Sequence, residues 1–403
     1  MEKLRVAVIF GGRSGEHEVS LSSAQSVMRA LNPERYEVIP VGITRQGAWI
    51  VGQDPMRALL QEDYTAMRAA AIFADPSKSG LWAGVHGESP STEPGTEAGA
   101  ELAAAGGAEQ GAAKLATLSQ VDVVFPVLHG TFGEDGTVQG LLELAGVPYV
   151  GAGVLCSALA MDKIAFKDVV TSHGIPIADY VWCTRRQWLT DPETILKRVE
   201  SELGYPVFTK PANLGSSVGI CRCRSREELR RGLDEAGAYD RRLLVEAAVP
   251  AAREIEVSVI GNEDPSASIP GEVVPSREFY DYMSKYLDDG EAASKLLIPA
   301  PLDAATQSLV QELAVRAYRA IDGAGMARVD FLVDGETDEV FLNEINTIPG
   351  FTPISMYPKL WEASGVPYER LLDWLIDLAL DRHQENARSV RVFRPLNSGH
   401  EAG

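Results

Sequence analysis

The sequence predicts an α/β domain with a parallel sheet, followed by α+β modules. Three observations carry this. Apolar, strand-like runs alternate with helical stretches as far as Val150, glycine-rich turns stand directly after strand ends, and beyond Gly151 the pattern changes to short strands set among helices.

Residues 4–10 read as a short apolar strand ending in Gly11-Gly-Arg-Ser-Gly15-Glu-His-Glu18, with a helix over 20–31. Residues 36–43 form a second strand and 121–128 a third, which ends in His129-Gly-Thr-Phe-Gly-Glu-Asp-Gly136 and leads into a helix over 137–145. Glycine loops at the ends of parallel strands place a site along the carboxyl edge of the sheet. Residues 83–114 carry almost no bulky apolar side chain and read as a mobile surface insertion, because they bury too little to offset their ordering entropy.

From residue 152 a helix over 157–172 precedes short strands at 207–210, 218–222, 243–248 and 255–260. A third section holds a strand over 271–280, helices over 302–321 and 368–380, and a hairpin built from runs at 327–333 and 339–345 around Asp334-Gly335-Glu336. The module boundaries are therefore expected at 1–151, 152–265 and 266–383, with a loose polar tail over 384–403.

The 403 residues are 45% apolar, enough for two or three cores at about 100–200 residues each. No run approaches the roughly 18 apolar residues that cross a bilayer, and MEKLRVAVIF enters a strand without the layout of a secretory signal. A cytoplasmic protein is expected. Cys156, Cys183, Cys221 and Cys223 form no disulfide framework and no C-x-x-C pair. A net charge of −20 argues against nucleic acid as a partner, although a few local lysines still suffice for a nucleotide triphosphate.

The hairpin carries the sharpest chemistry. Strand side chains alternate faces, so Arg328 and Asp330 share one face, as do Glu344 and Asn346. A turn symmetric about Glu336 sets even residues against even ones, which gathers all four on one surface and sends Val329, Phe331, Val333, Phe341 and Ile345 to the other. Two carboxylates and a carboxamide are the hard oxygen ligands that magnesium takes, and Arg328 suits an oxyanion. A solvated hairpin face is the alternative. The loop that follows, from Asn346 to Met356, is turn-rich and enters a helix, as functional loops do.

Lys210-Pro-Ala-Asn-Leu-Gly215-Ser-Ser-Val-Gly219 is either an ordinary hairpin loop or a nest of amide donors for phosphate oxygens. It lacks the Walker spacing, and Gly11-Gly-Arg-Ser-Gly15 does not fit G-x-G-x-x-G. Lys163 and Lys210 are single basic residues that gain meaning only with the glycine-serine loop and the acidic hairpin, the parts phosphoryl transfer needs.

GGRSGEHEVSLSSA, HGTFGEDGTVQGLLELAGVPYVGAGVLCSALAMDK, KPANLGSSVG, FYDYMSKY, RVDF and NEINTIPGFTPISMYP together resemble the D-alanine:D-alanine ligases of the ATP-grasp superfamily over nearly the whole chain. The resemblance implies a three-domain ATP-grasp architecture with an N-terminal Rossmann-like domain, and ATP held between the central and last modules. It implies that ATP phosphorylates one D-alanine, whose acyl phosphate a second D-alanine attacks, in service of peptidoglycan synthesis. It places Asp330, Glu344 and Asn346 on a pair of magnesium ions, with manganese able to replace them. Lys163, Lys210 and Lys285 match phosphate contacts, Glu246 and Glu254 lie near adenine and ribose, and Ser216, Ser217, Val249 and Phe279 complete the nucleotide set.

By the same resemblance Glu16 anchors the first substrate's ammonium and forms a triad with Ser216 and Tyr286. Arg328 and Gly350 stabilise the tetrahedral oxyanion, Ser355 and Met356 receive the second substrate's carboxylate, and His129 lies near the amino acids. A homodimer is implied. Ligases with D-lactate or D-serine as acceptor, and a non-catalytic nucleotide-binding relative, are the alternatives.

Overall fold

The computed structural model describes residues 3–78, 80–84, 115–215, 217–275, 294–352 and 354–390. Ser216, Phe279, Lys285, Tyr286, the bulk of the expected insertion and the end of the tail lie outside the described residues.

The first module runs β1 (Leu4–Gly11), α1 (His17–Ala30), β2 (Tyr36–Ile43), β3 (Trp49–Val51), α2 (Pro55–Gln61), β4 (Arg68–Ala71), β5 (Leu81–Gly84), β6 (Leu115–Ser119), β7 (Val123–Val127) and α3 (Thr137–Ala145). Its seven strands lie in the order β6-β5-β4-β3-β2-β1-β7. Only β2, β1 and β7 are mutually parallel, and β3 to β6 extend the sheet by antiparallel pairing. The parallel sheet expected from residues 4–10, 36–43 and 121–128 is thus present, and the strands that extend it are too short to show a period. The expected insertion also starts too early, since Ala83 is buried in β5.

Alternation along the parallel strands divides the core. Val6, Val8, Phe10, Val123, Phe125 and Val127 face one side, while Ala7, Ile9 and Val124 face α3 through Val138 and Leu142. Helices cover both faces, as a parallel sheet requires.

Next come α4 (Val154–Met161) and α5 (Lys163–Ser172). The single helix expected over 157–172 is two helices, because Asp162 turns out of the helix and accepts from the amides of Ile164 and Ala165 at 3.2 and 3.0 Å. The central sheet follows with β8 (Tyr180–Thr184), α6 (Arg185–Thr190), α7 (Pro192–Glu202), β9 (Val207–Pro211), β10 (Cys221–Cys223), α8 (Arg226–Tyr239) and β11 (Arg242–Ala247). It is antiparallel in the order β10-β9-β11-β8. The strand expected at 218–222 is confined to β10, because residues 217–219 form a turn.

The last sheet holds β12 (Arg253–Ile260), β13 (Ser266–Ala267), β14 (Gly271–Val274), β15 (Lys295–Leu297), β16 (Met326–Val333) and β17 (Val340–Asn346), with α9 (Ala304–Ala320) packed on it. The strand at 255–260, expected within the central module, instead pairs with β14 and β16. α4 and α5 pack on the same sheet through Cys156, Phe166 and Val170. α10 (Met356–Ala363) and α11 (Tyr368–Ala387) close the described chain, and α11 extends beyond the helix expected to end at 380.

α11 does not stay with its own sheet. Leu371, Leu372, Leu375 and Ile376 join the core of the first module beside Val123 and Phe125. Tyr36 Oη donates to Asp373 at 2.6 Å, and Phe351 meets the rings of Phe125, Tyr357 and Tyr368. No helix among the described residues is long and apolar enough to cross a membrane.

Gly11 ends β1 at φ +92°, and a Cβ there would stand 2.2 Å from the Ile43 carbonyl oxygen. Gly11→Ala is expected to cost about 2–4 kcal/mol in urea unfolding, from left-handed strain plus a backbone clash. Gly15→Ala is the control, having open space within 4 Å. Equal midpoints for the two variants contradict the assignment.

Candidate active site

Loops of the first, central and last modules converge on a cavity of about 450 Å³. The loop after β1 is tied down by backbone geometry. Gly12 N donates to Ile43 O at 2.9 Å, Gly11 N to Ser20 Oγ at 2.8 Å, and Ser14 Oγ to the His129 carbonyl at 2.7 Å. Glu16 is thereby held over the loop after β7. Its Oε2 lies where a Cβ on Gly130 or Gly215 would come within 2.5 or 3.2 Å. The anchor expected for an ammonium therefore sits directly between the glycines of two loops, Gly130 and Gly215.

His129 is buried with both ring nitrogens occupied. Nδ1 meets the Ile348 carbonyl at 2.9 Å and Nε2 meets Ser23 Oγ at 3.1 Å, which fixes the proton on Nδ1 because a carbonyl only accepts. Burial lowers its pKa, with Glu16 opposing. His129 thus clips the β7 loop to the 348–351 loop, and Ser23 Oγ accepts in turn from Phe351 N at 3.2 Å.

The hairpin gives the site its floor. Arg328 stands opposite Asn346 and Asp330 opposite Glu344, but the register shifts between Asp330 and Phe331, where Leu342 takes the next pairing. Asn343 is the extra residue, so it and Glu344 both face outward from the core. The expected parity is therefore reached through a β-bulge rather than a symmetric turn. One assignment changes with it: Leu342 lies in the core, and Phe341 is half-buried on the other side.

Glu256 of β12 pairs in register with Asp330, completing an acidic row Glu256, Asp330, Glu344 across three strands. Arg328 neutralises it. Its Nε and Nη2 donate to the two oxygens of Asp330 at 2.7 and 2.6 Å, and Nε lies 3.0 Å from Glu256. Burial lowers the guanidinium pKa, but Asp330 and Glu256 outweigh it and hold the group well above its ordinary value. Asn346 Nδ2 donates to Asp330 at 3.0 Å. Lys163 Nζ donates to the Leu214 carbonyl at 2.8 Å and stands 3.7 Å from Glu344.

Of the sequence-derived set, Glu16, His129, Lys163, Arg328, Glu344, Asn346, Gly350, Ser355 and Met356 line this cavity. Asp330 lies behind Arg328. Lys210 and Glu246 lie deeper, where Glu246 pairs with Lys210 and with the buried Lys167, and Lys210 Nζ is 3.5 Å from Asn343 Oδ1. Burial raises the Glu246 pKa, but the two ammonium groups reverse this and bring it down to about 2, while burial lowers that of Lys167. Both carboxylate oxygens of Glu246 are thus occupied. Ser217 sits in the turn after β9, Val249 between β11 and β12, and Glu254 near the start of β12 on the face shared with Glu256.

Two family descriptions match the chain and between them span all three sheets. Residues 5–152 match the family described as "D-ala D-ala ligase N-terminus" and residues 169–377 that described as "D-ala D-ala ligase C-terminus". The chain belongs to the D-alanine–D-alanine ligase family. It is 48% identical to the D-alanine–D-alanine ligase of Natranaerobius thermophilus, covering 98% of this chain and 99% of the relative. The ligase of Heliobacterium modesticaldum is also 48% identical, over 98% and 100%. Among solved structures, the D-alanine-D-alanine ligase from Coxiella burnetii superposes with a TM-score of 0.77 at 35% identity, covering 96% and 97% of the two chains. The VanG D-Ala:D-Ser ligase from Enterococcus faecalis does so at 0.77 and 34%, covering 94% and 100%. The three-sheet architecture is therefore the ATP-grasp arrangement of this ligase family.

Glu134, Glu256, Lys167 and Asn343 were missed by sequence reasoning. For Glu134 the available signal was a carboxylate inside a glycine loop; for Lys167, a lysine on the apolar stripe of α5. Glu134 Oε2 accepts from Gly130 N at 2.6 Å and Oε1 from Ile348 N at 3.3 Å, so it braces two of the loops. Burial, then Glu16, pushes its carboxyl up to about 8. A carboxyl whose folded pKa is raised binds a proton that the unfolded chain releases, so its contribution to stability falls as pH rises from about 4.3 towards 8. Glu134→Gln removes that slope. Between pH 5 and 9 the variant should gain on the unaltered chain by on the order of 2 kcal/mol in urea unfolding. Parallel pH profiles contradict a neutral Glu134.

Proposed function

We propose that this chain condenses two D-alanine molecules to D-alanyl-D-alanine with conversion of ATP to ADP and phosphate, supplying a peptidoglycan precursor. The observation that carries this reading is the Glu256, Asp330, Glu344 row with Arg328 and Asn346, facing Glu16 across one cavity. One end offers a carboxylate for an ammonium; the other offers cations and metal-type oxygens for phosphate.

Asp330, Glu344 and Asn346 fit a divalent cation by the chemistry of their donors, two carboxylates and a carboxamide on one face. Among the described residues no group of three or more His, Cys, Asp or Glu forms a cage. Magnesium bound with substrate phosphates and water needs none. When bound, a pair of magnesium ions, or manganese in their place, would neutralise and orient the triphosphate.

Glu16 takes the ammonium of the first D-alanine and directs its carboxylate towards Arg328. A carboxylate oxygen attacks the γ-phosphorus of ATP, the bond to the β-bridging oxygen breaks, and ADP leaves an acyl phosphate. Lys163 and Lys210 neutralise the phosphates, with Lys285, Ser216, Ser217, Val249, Glu254 and Phe279 assigned to the nucleotide, and Tyr286 to the triad with Glu16 and Ser216. The amine of the second D-alanine, oriented through Ser355 and Met356, attacks the acyl carbon. Arg328 and the Gly350 amide donate to the oxyanion that forms, and phosphate departs. A cytoplasmic homodimer belongs to the same reading.

The test is ADP release and product identity with D-alanine, L-alanine, D-lactate and D-serine, supplied singly and in pairs. A product containing D-lactate or D-serine in preference to a second D-alanine overturns the acceptor assignment. Glu344→Gln keeps the shape of a metal ligand without its charge, and turnover should fall at least about 100-fold while the fold is unchanged. Near-normal rates at saturating magnesium contradict the role of Glu344.

A further inference from the structure

We propose that Lys359 makes the acceptor subsite selective for a free carboxylate. The inference rests on the dipeptide ligase reading and adds to it a residue that the sequence resemblance did not assign.

α10 begins at Met356 with Ser355 at its N-cap, yet the Ser355 side chain makes no capping bond. Its Oγ instead accepts from Thr352 N at 3.1 Å and meets Thr352 Oγ1 at 2.7 Å. The serine hydroxyl is turned back into the loop, so the first amides of the helix are not satisfied by their cap. Pro358 contributes no amide hydrogen at all.

Lys359 lies four positions after Ser355 and so on the same flank of the helix. It is half-buried, it lines the cavity together with Gly350, Thr352, Ser355 and Met356, and no hydrogen bond or ion pair holds its ammonium among the described residues. A cation in the first turn adds to the positive end of the helix dipole, an unfavourable placement unless an anion sits there. The other cationic groups of the cavity are engaged: Arg328 by Asp330 and Glu256, Lys163 by Glu344 and the Leu214 carbonyl.

The cavity is therefore polarised. Glu16 marks one end, and Lys359 with uncapped amides marks another. An amino acid whose carboxylate is drawn to Lys359 presents its amine inward, towards the carbon held near Arg328 and Gly350. A neutral acceptor lacks this attraction, which ties affinity to orientation.

The experiment compares the unaltered full-length chain with Lys359→Met and Lys359→Arg at saturating ATP and magnesium. Rates against D-alanine concentration resolve donor and acceptor KM values, and D-alaninamide competes as an acceptor without a carboxylate, with products identified by mass. Lys359→Met should raise the acceptor KM about tenfold, leave the donor and ATP KM within about twofold, and narrow the preference for D-alanine over D-alaninamide by a similar factor; Lys359→Arg should keep most of that preference. An unchanged preference in Lys359→Met, or equal loss with both acceptors, overturns the role of Lys359. Failure of the unaltered chain to form D-alanyl-D-alanine overturns the ligase reading itself.

Discussion

The bulge at Asn343 is the constraint on which the site depends. Residues alternate faces along a strand, so one extra residue reverses the face of everything beyond it. With the pairing that holds near the turn, Glu344 and Asn346 would be directed into the core beside Val329. The bulge turns them outward, lets Leu342 fill the core, and leaves Asn343 reaching Lys210 on the neighbouring sheet. Three acidic side chains can then stand in one row because Arg328, one row over, pairs with Glu256 and Asp330 while Lys163 stands near Glu344. Buried charge of this kind is tolerated when each group has partners, and removing one partner costs more than the pair contributes.

The same logic recurs deeper in the molecule. Lys167 and Lys210 share Glu246, so an ammonium on α5 and one on β9 are held at fixed separation by a carboxylate on β11. On the substrate side, His129, Glu134 and Ser23 bond the 348–351 loop to the first module, and Ser14 joins the two glycine loops. The substrate-side residues Glu16 and Gly350 therefore sit on loops that are anchored from more than one direction. Such anchoring gives flexible segments the rigidity that catalysis demands.

Much of this was legible in the chain. β1, β2, the hairpin and α3 announce themselves through apolar runs with a clear period, and Arg328, Asp330, Glu344 and Asn346 gather as alternation requires. β3 to β6 were not legible, because strands of three to five residues are too short to carry a period. The bulge was hidden for a different reason: it restores the parity that a simpler register also predicts, and only the exchange of Phe341 for Leu342 reveals it. Lys167 and Glu134 were passed over because charged residues are assumed to be solvated. Their burial depends on partners distant in sequence.

α11 has a consequence for the order in which the molecule is made. The face of the first sheet that carries Val123 and Phe125 is completed by Leu371, Leu372, Leu375 and Ile376. During vectorial synthesis α1 and α2 can pack on that face early, but the part filled by α11 stays uncovered until residues 371–376 have left the ribosome. The first module therefore waits for the last helix, so a nascent chain stalled after the central sheet exposes apolar surface to chaperones and proteases. Native packing of the earliest strands thus reports that α11 has been made.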